Sequence, residues 1–233
     1  MFDIGASNGR WSSRMSRDFP TAHFTLFEPL IEYSEGYGLG MKTTLARHPN
    51  FQLYKVALGP ECRKTRMFFY PDNVVGSTAL PLTHQPVGAK QVEVDMLTID
   101  YVIDEFQLAV PQVIKMDTQG CELSILQGAT KTLPKVDVLL LECWLTRAYG
   151  PTTPLLLEVA DWLRQFEFHI WDLGNAWRDA SGVLVAQDCL FLNARSEVSN
   201  LKDELRPPSQ AAPAVTPPQE PLFQRVKNLI HRH

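Results

Sequence analysis

Three sets of residues have types and spacings that can do chemistry. The first is a glycine-framed turn near the start, Phe2-Asp3-Ile4-Gly5-Ala6-Ser7-Asn8-Gly9. Glycines there let the backbone turn tightly and pass close to a ligand, where a Cβ would obstruct it. The second is Glu28, which closes the apolar stretch His23-Phe24-Thr25-Leu26-Phe27. It follows Gly9 at close to the spacing of about 20 residues at which an acid accepts hydrogen bonds from both ribose hydroxyls of a nucleoside cofactor. The third is a pair of acids, Asp117 and Glu142, each standing at the end of an apolar segment. The wording of the turn bears on the cofactor. An aspartate just ahead of it would repel a dinucleotide's pyrophosphate, which needs a close backbone approach at a helix N-terminus. The same charge suits the amino group or sulfonium of S-adenosylmethionine, so the turn favours that donor over a nicotinamide. Asp3 can instead act as a remote cap for the helix that follows.

These residues need a scaffold, and strand and helix signals alternate along the chain to give one. Strands are expected at residues 2–5, 23–28, 51–58, 112–116, 136–142, 167–172 and 187–193. Helices are expected at 9–19, 29–47 (weakened by Gly36, Gly38 and Gly40), 98–106, 121–133 and 154–165. Val136-Asp137-Val138-Leu139-Leu140-Leu141-Glu142 is almost continuously apolar, as a strand covered on both faces must be. Segments 66–70 and 90–96 are strand-like and flank a polar, glycine-containing stretch from 71 to 89, read as a β-hairpin insertion with a long loop. The expected fold class is α/β: a doubly wound, mostly parallel sheet with helices on both faces.

Composition supports one such domain. A chain of 233 residues, 45% hydrophobic, buries one substantial core. With a net charge of −4, no nucleic-acid partner is expected. Cys62, Cys121, Cys143 and Cys189 are scattered, without metal-ligand spacing, and read as free thiols of a reducing compartment. No apolar run approaches the roughly 18 residues that span a bilayer, so a cytoplasmic location is expected. The domain is placed at residues 1–195. Residues 196–221 form a linker with six prolines between Pro207 and Pro221, which cannot bury enough surface to offset chain entropy. Residues 222–233 form a short basic amphipathic tail, with Leu222, Phe223, Val226, Leu229 and Ile230 on one helical face. Such a tail can dock on an acidic membrane surface or a protein partner, or fray because it is so short.

Several segments together resemble the FkbM family of S-adenosylmethionine-dependent methyltransferases. They are the glycine turn, Leu26-Phe27-Glu28-Pro29, Val56-Ala57-Leu58-Gly59, Gly76-Ser77-Thr78 and Val94-Asp95-Met96-Leu97-Thr98-Ile99-Asp100. The most specific is Ile114-Lys115-Met116-Asp117-Thr118-Gln119-Gly120-Cys121-Glu122, with Leu126-Gln127-Gly128-Ala129 after it. The likeness runs in order from residue 2 to about 145 and implies a Rossmann-like methyltransferase fold. On that resemblance Asp3, Gly5, Ala6, Ser7, Asn8, Gly9, Glu28, Pro29, Ala57, Ser77 and Asp117 are expected at the cofactor. Two positions depart from the family pattern. Gln119 stands where the family usually has an acid, and only Met1 and Phe2 precede Asp3, where the family carries a helical segment and a longer first strand. A truncated first strand is therefore expected, with the start of translation lying upstream or the domain marginally stable.

The implied activity is methyl transfer to a hydroxyl of a small molecule, a sugar or polyketide-like acceptor. Ligands of an open α/β sheet lie beyond the carboxyl ends of its strands, where Asp117 and Glu142 both fall as candidate bases. Glu122 is accounted for by the helix dipole in a first turn, and His84 is a loop histidine that can close over the site. No adjacent acid pair reinforces Asp117 and Glu142, so no metal is expected. Trp144 and Trp177 follow strand ends where an aromatic platform would serve an acceptor ring, or where a pocket wall would need bulk; Trp162 reads as core. The alternatives are a non-catalytic binding or scaffold protein on the same fold and an NAD(P)-dependent oxidoreductase.

Overall fold

The computed structural model describes residues 1–70, 73–80 and 88–196. His84, the rest of the linker beyond Ser196, and the amphipathic tail lie outside the described residues.

The elements in chain order are β1 (Phe2–Ile4), α1 (Arg10–Asp18), β2 (Phe24–Phe27), α2 (Glu35–Arg47), β3 (Phe51–Tyr54), β4 (Ala57–Leu58), β5 (Arg63–Tyr70), β6 (Asn73–Thr78) and β7 (Lys90–Leu97). They continue with α3 (Ile99–Glu105), β8 (Val113–Met116), α4 (Glu122–Gln127), β9 (Val138–Trp144), α5 (Leu156–Leu163), β10 (Phe168–Arg178) and β11 (Leu184–Asn193). Seven strands make one sheet in the order β10-β11-β9-β8-β1-β2-β3. The five from β3 to β9 run parallel, and β11 and β10 complete the edge antiparallel. The chain winds outward from β1 to β3 and then returns to β8 on the other side of β1. This reversal leaves a crevice above the carboxyl ends of β1 and β8, where Ile4 pairs with Met116. The expected fold class holds.

Side-chain alternation explains how the sheet is covered. Phe2, Ile4, Ile114 and Met116 point to one face, where they pack with Ile99, Ile125 and Leu126. Val113 points to the other, among Met15, Phe24, Leu26 and Met41. Asp3 and Lys115, paired in register on neighbouring strands, necessarily point to that second face as well. The first strand is short, at three residues, yet pairs along its whole length with both β2 and β8.

Four expectations change. The strand at 51–58 breaks into β3 and β4, and β4 leaves the large sheet to pair with β7. The insertion is more than a hairpin: β6 emerges from the polar stretch and pairs with β5, giving a second sheet in the order β4-β7-β5-β6. The helix expected at 121–133 stops at Gln127, and the Gly128 that follows packs so closely on Gly59 that an added Cβ would lie 2.1 Å from the Gly59 carbonyl oxygen. The final hairpin is longer than expected, because register shifts absorb the Gly174-Asn175 region that reads as a strand end.

Candidate functional site

The turn between β1 and α1 is shaped by its glycines. Gly5 has φ +71°, and an added Cβ would meet the Asp117 carbonyl oxygen at 2.1 Å, so the turn can lie against the end of β8 only without a side chain there. Gly5 and Ala6 both donate backbone N–H bonds to the Phe27 carbonyl, and Asp117 donates to that of Ile4. Three strand ends are thereby fastened around one cleft. The cleft has a cavity volume of about 120 Å³ and opens to solvent.

Gly5, Ser7, Glu28, Pro29, Ala57, Ser77, Asp117 and Gln119 line this cleft. Glu28 is 8% exposed, and its two oxygens accept from Ser7 N at 2.8 Å and Leu30 N at 2.9 Å. Burial raises its pKa despite these bonds and the nearby Lys115. A carboxylate has about four lone-pair sites, so each oxygen keeps one for a ligand hydroxyl. Phe27, Leu30, Val56, Met67 and Ile125 supply an apolar wall for a flat ring. Cys121 also lines the cleft, but burial pushes its thiol up to about 11, so it is wall rather than nucleophile.

Four expected contacts are displaced. Asp3 does not face the cleft: it is fully buried on the opposite face of the sheet, accepting from Ser12 Oγ at 2.7 Å and ion-paired with Lys115 Nζ at 3.1 Å. Its proposed attraction for a sulfonium is replaced by a structural pairing dictated by strand alternation. Ala6 is packed in the core with Met15. Asn8 and Gly9 lie outside the lining, where Asn8 Oδ1 accepts from Arg10 N at 3.2 Å and Gly9 begins α1 in a left-handed conformation.

Lys115 belongs to the most specific motif yet is not among the residues expected at the site. Its ammonium donates to the Gly5 carbonyl at 3.0 Å and lies 3.9 Å from Asp117 Oδ2. Burial opposes its charge, but Asp3, Asp117 and Glu28 outweigh that and raise its pKa above the ordinary lysine value.

An acid cluster begins at the edge of the cleft that Asp117 and Gln119 line. Asp117 is half exposed, and its Oδ1 accepts from Gln119 Nε2 at 2.8 Å; the same nitrogen donates to Glu142 Oε2 at 2.9 Å. The Tyr149 hydroxyl donates to Gln119 Oε1. Burial, then Asp117, Glu122 and Asp188, push Glu142 up to about 8, while the Trp177 indole N–H bonds to it and works the other way. Glu122 is buried in the first turn of α4, accepting from Thr118 N and Oγ1, both at 2.9 Å, and burial pushes it up to about 7. Asp188, which pairs in register with Glu142 and accepts from Asn175 at 3.0 Å, is raised by burial too. Asn175 and Asp188 carried no motif in the sequence. Of the two tryptophans expected at strand ends, Trp144 is instead a buried wall packed edge-on against Tyr149, whereas Trp177 is 44% exposed beside Glu142. Among the described residues no group of three or more histidines, cysteines or acids is arranged to hold a metal, and no helix is long and apolar enough to cross a membrane.

The family model described as the methyltransferase FkbM domain matches residues 3–170. The crystal structure of methyltransferase FkbM from Methylobacillus flagellatus KT superposes with a TM-score of 0.52 at 19% identity, covering 82% of this chain and 42% of that one. The present chain therefore spans less than half the length of that relative, with which it shares the fold. A precorrin-6y C5,15-methyltransferase from Geobacter metallireducens GS-15 gives a TM-score of 0.44 at 13% identity, covering 83% and 78%. Comparison with curated proteins gives no match. The glycine turn against β8, the acid at the end of β2 and the Lys-x-Asp-x-x-Gly-x-Glu element thus stand in one matched domain, and the chain belongs to the FkbM methyltransferase family.

Proposed function

We propose that the chain is an S-adenosylmethionine-dependent O-methyltransferase acting on a hydroxyl of a small, uncharged acceptor such as a sugar or polyketide. The observation that carries this reading is the adjacency of two unlike sites: a cleft walled by Glu28 and apolar side chains, and the acid cluster that begins at its Asp117 edge. The residues fit the donor. Glu28 would offer its free lone pairs to ribose hydroxyls, Phe27, Leu30 and Val56 would cover an adenine ring, and Gly5 and Asp117 would border the amino-acid end. Bound there, S-adenosylmethionine supplies a methyl group on a positively charged sulfur, open to displacement by an oxygen.

Glu142 then acts as the general base. A carboxyl held near pKa 8 is a stronger base than an ordinary one, and it accepts the acceptor's hydroxyl proton as that oxygen becomes nucleophilic. Asp117, on the cleft side of Gln119, orients the hydroxyl. The clustered carboxylates disfavour phosphorylated acceptors, and Trp177 gives a ring a face to stack on. Isothermal titration with S-adenosylhomocysteine, with NADH in parallel, tests the reading. Saturable binding of the first alone supports it; binding of NADH alone would replace it with the oxidoreductase. With binding in hand, Asp117→Asn separates an enzyme from a scaffold: turnover of hydroxylated acceptors should be lost with cofactor affinity largely kept.

A further inference from the structure

Gln119 stands where four segments meet, in a backbone conformation that residues with a Cβ disfavour. Its φ is +56°, and Gly120 follows at +94°. Such strain persists where the surroundings over-determine it. The Gln119 carbonyl accepts from Thr78 Oγ1 of β6 at 2.9 Å. Its side-chain nitrogen donates to Asp117 after β8 and to Glu142 in β9, and its side-chain oxygen accepts from Tyr149 in the segment after β9. The amide orientation follows from donor chemistry. Burial and the surrounding carboxylates raise the Tyr149 phenol far enough to keep it a donor, and Asp117 only accepts when ionised, so the oxygen must face the tyrosine and the nitrogen the acids. Tyr149 is itself held. Its ring meets Trp144 at 5.0 Å and 90°, its N–H donates to Thr153 Oγ1 at 3.1 Å, and Arg147 links Thr153 to Glu158 of α5.

We propose that Tyr149 and Gln119 are positioning residues for the base: the tyrosine hydroxyl locks the amide, and the amide holds Glu142 beside Asp117, ready for the acceptor proton. The proposal rests on the methyltransferase reading and on Glu142 as base. Neither residue touches the reacting atoms in this role. The charged groups that face Glu142 are Asp117 at the end of β8, Glu122 of α4 and Asp188 of β11, with the Trp177 indole of β10 as a further donor. Three acids repel its charge, so a donor pinned at a fixed angle decides how readily it ionises.

The test is a ¹³C NMR titration of glutamate carboxyl carbons in the full chain, with Glu142→Gln to assign the resonance. Gln119→Met removes the donor and should raise the Glu142 midpoint by about one pH unit, the scale of a lost hydrogen bond to a charged group. Tyr149→Phe keeps the ring and should raise it by less, in the same direction. Gln119→Asn, whose amide is too short to reach both acids, should match Gln119→Met and stands in if that variant fails to fold. Gln119 itself lines the cleft, so the binding control is Tyr149→Phe, in which S-adenosylhomocysteine affinity should stay at the wild-type value. Once an acceptor is known, kcat of Tyr149→Phe should fall with the KM for S-adenosylmethionine unchanged, and its pH midpoint should move upward with that of Glu142. An unaltered Glu142 titration in variants that bind S-adenosylhomocysteine would overturn the proposal, leaving Tyr149 as a structural tie. Absence of binding by the wild-type chain would overturn the reading beneath it.

Discussion

The cleft wall formed by β1, β2 and β8 and the acid cluster on β9, β10 and β11 adjoin in one sheet but are held by different means. In the cleft wall the main chain does most of the fastening: Gly5 and Ala6 bond to Phe27, Asp117 to Ile4, and Ser7 and Leu30 donate their N–H groups to Glu28. The buried ion pair of Asp3 with Lys115 lies beneath the site rather than in it. In the acid cluster side chains hold side chains, Tyr149 to Gln119 to Asp117 and Glu142, and Asn175 to Asp188. A main-chain cradle keeps its shape whatever most side chains are, so it suits an invariant ligand. A side-chain network can be retuned one residue at a time.

The comparison breaks most sharply at Glu142. Glu142→Gln should reduce kcat by about 10²–10⁴-fold, the usual worth of a general base, with S-adenosylhomocysteine affinity little changed. An equal loss of binding in calorimetry would mean that the two regions are not separable. Lys115→Met should do the reverse and strike the fold. It leaves the fully buried Asp3 carboxylate without its partner, a change that costs about 3–5 kcal/mol and is read from the urea midpoint. Asp3→Asn with Lys115→Met should recover most of that loss; no recovery would show that the lysine acts mainly through Gly5 or Asp117.

The smallest effect concerns pH. Glu122 and Glu142 are raised from 4.5 to about 7 and about 8 in the folded chain, so folding favours their protonated forms. Their stabilising contribution is complete below pH 4.5 and is lost as pH rises through those values. Wild type should therefore lose melting temperature relative to Glu122→Gln as pH rises from 5 to 8. Parallel melting curves for the two proteins across that window would contradict it.

The same division decides what the sequence makes legible. The glycine turn, Glu28 and Asp117 are legible because their roles depend on spacing along short segments. The misplacement of Asp3 was avoidable: with Phe2 and Ile4 committed to one face, alternation sends Asp3 to the other. Lys115 follows by the same rule, since its neighbours Ile114 and Met116 are apolar and face the core. Tyr149 and Asp188 leave no such trace. Their meaning comes from the pairing of β9 with β11 and from a turn 30 residues beyond Gln119, distances at which no periodicity speaks. Strand β6 escaped notice because its segment is polar and glycine-containing, a composition shared with loops.

The bond from Lys115 to the Gly5 carbonyl joins positions 110 residues apart. Closing so long a loop carries an entropy cost that local contacts do not repay in advance, so β1 and β8 meet only when the intervening half of the chain is in place. The cleft consequently has no local precursor and forms with the domain as a whole. A ligand that occupies it stabilises the entire fold by an amount that grows with the logarithm of its concentration over its Kd. The short central strand thereby makes global unfolding the reporter of a binding event at its tip.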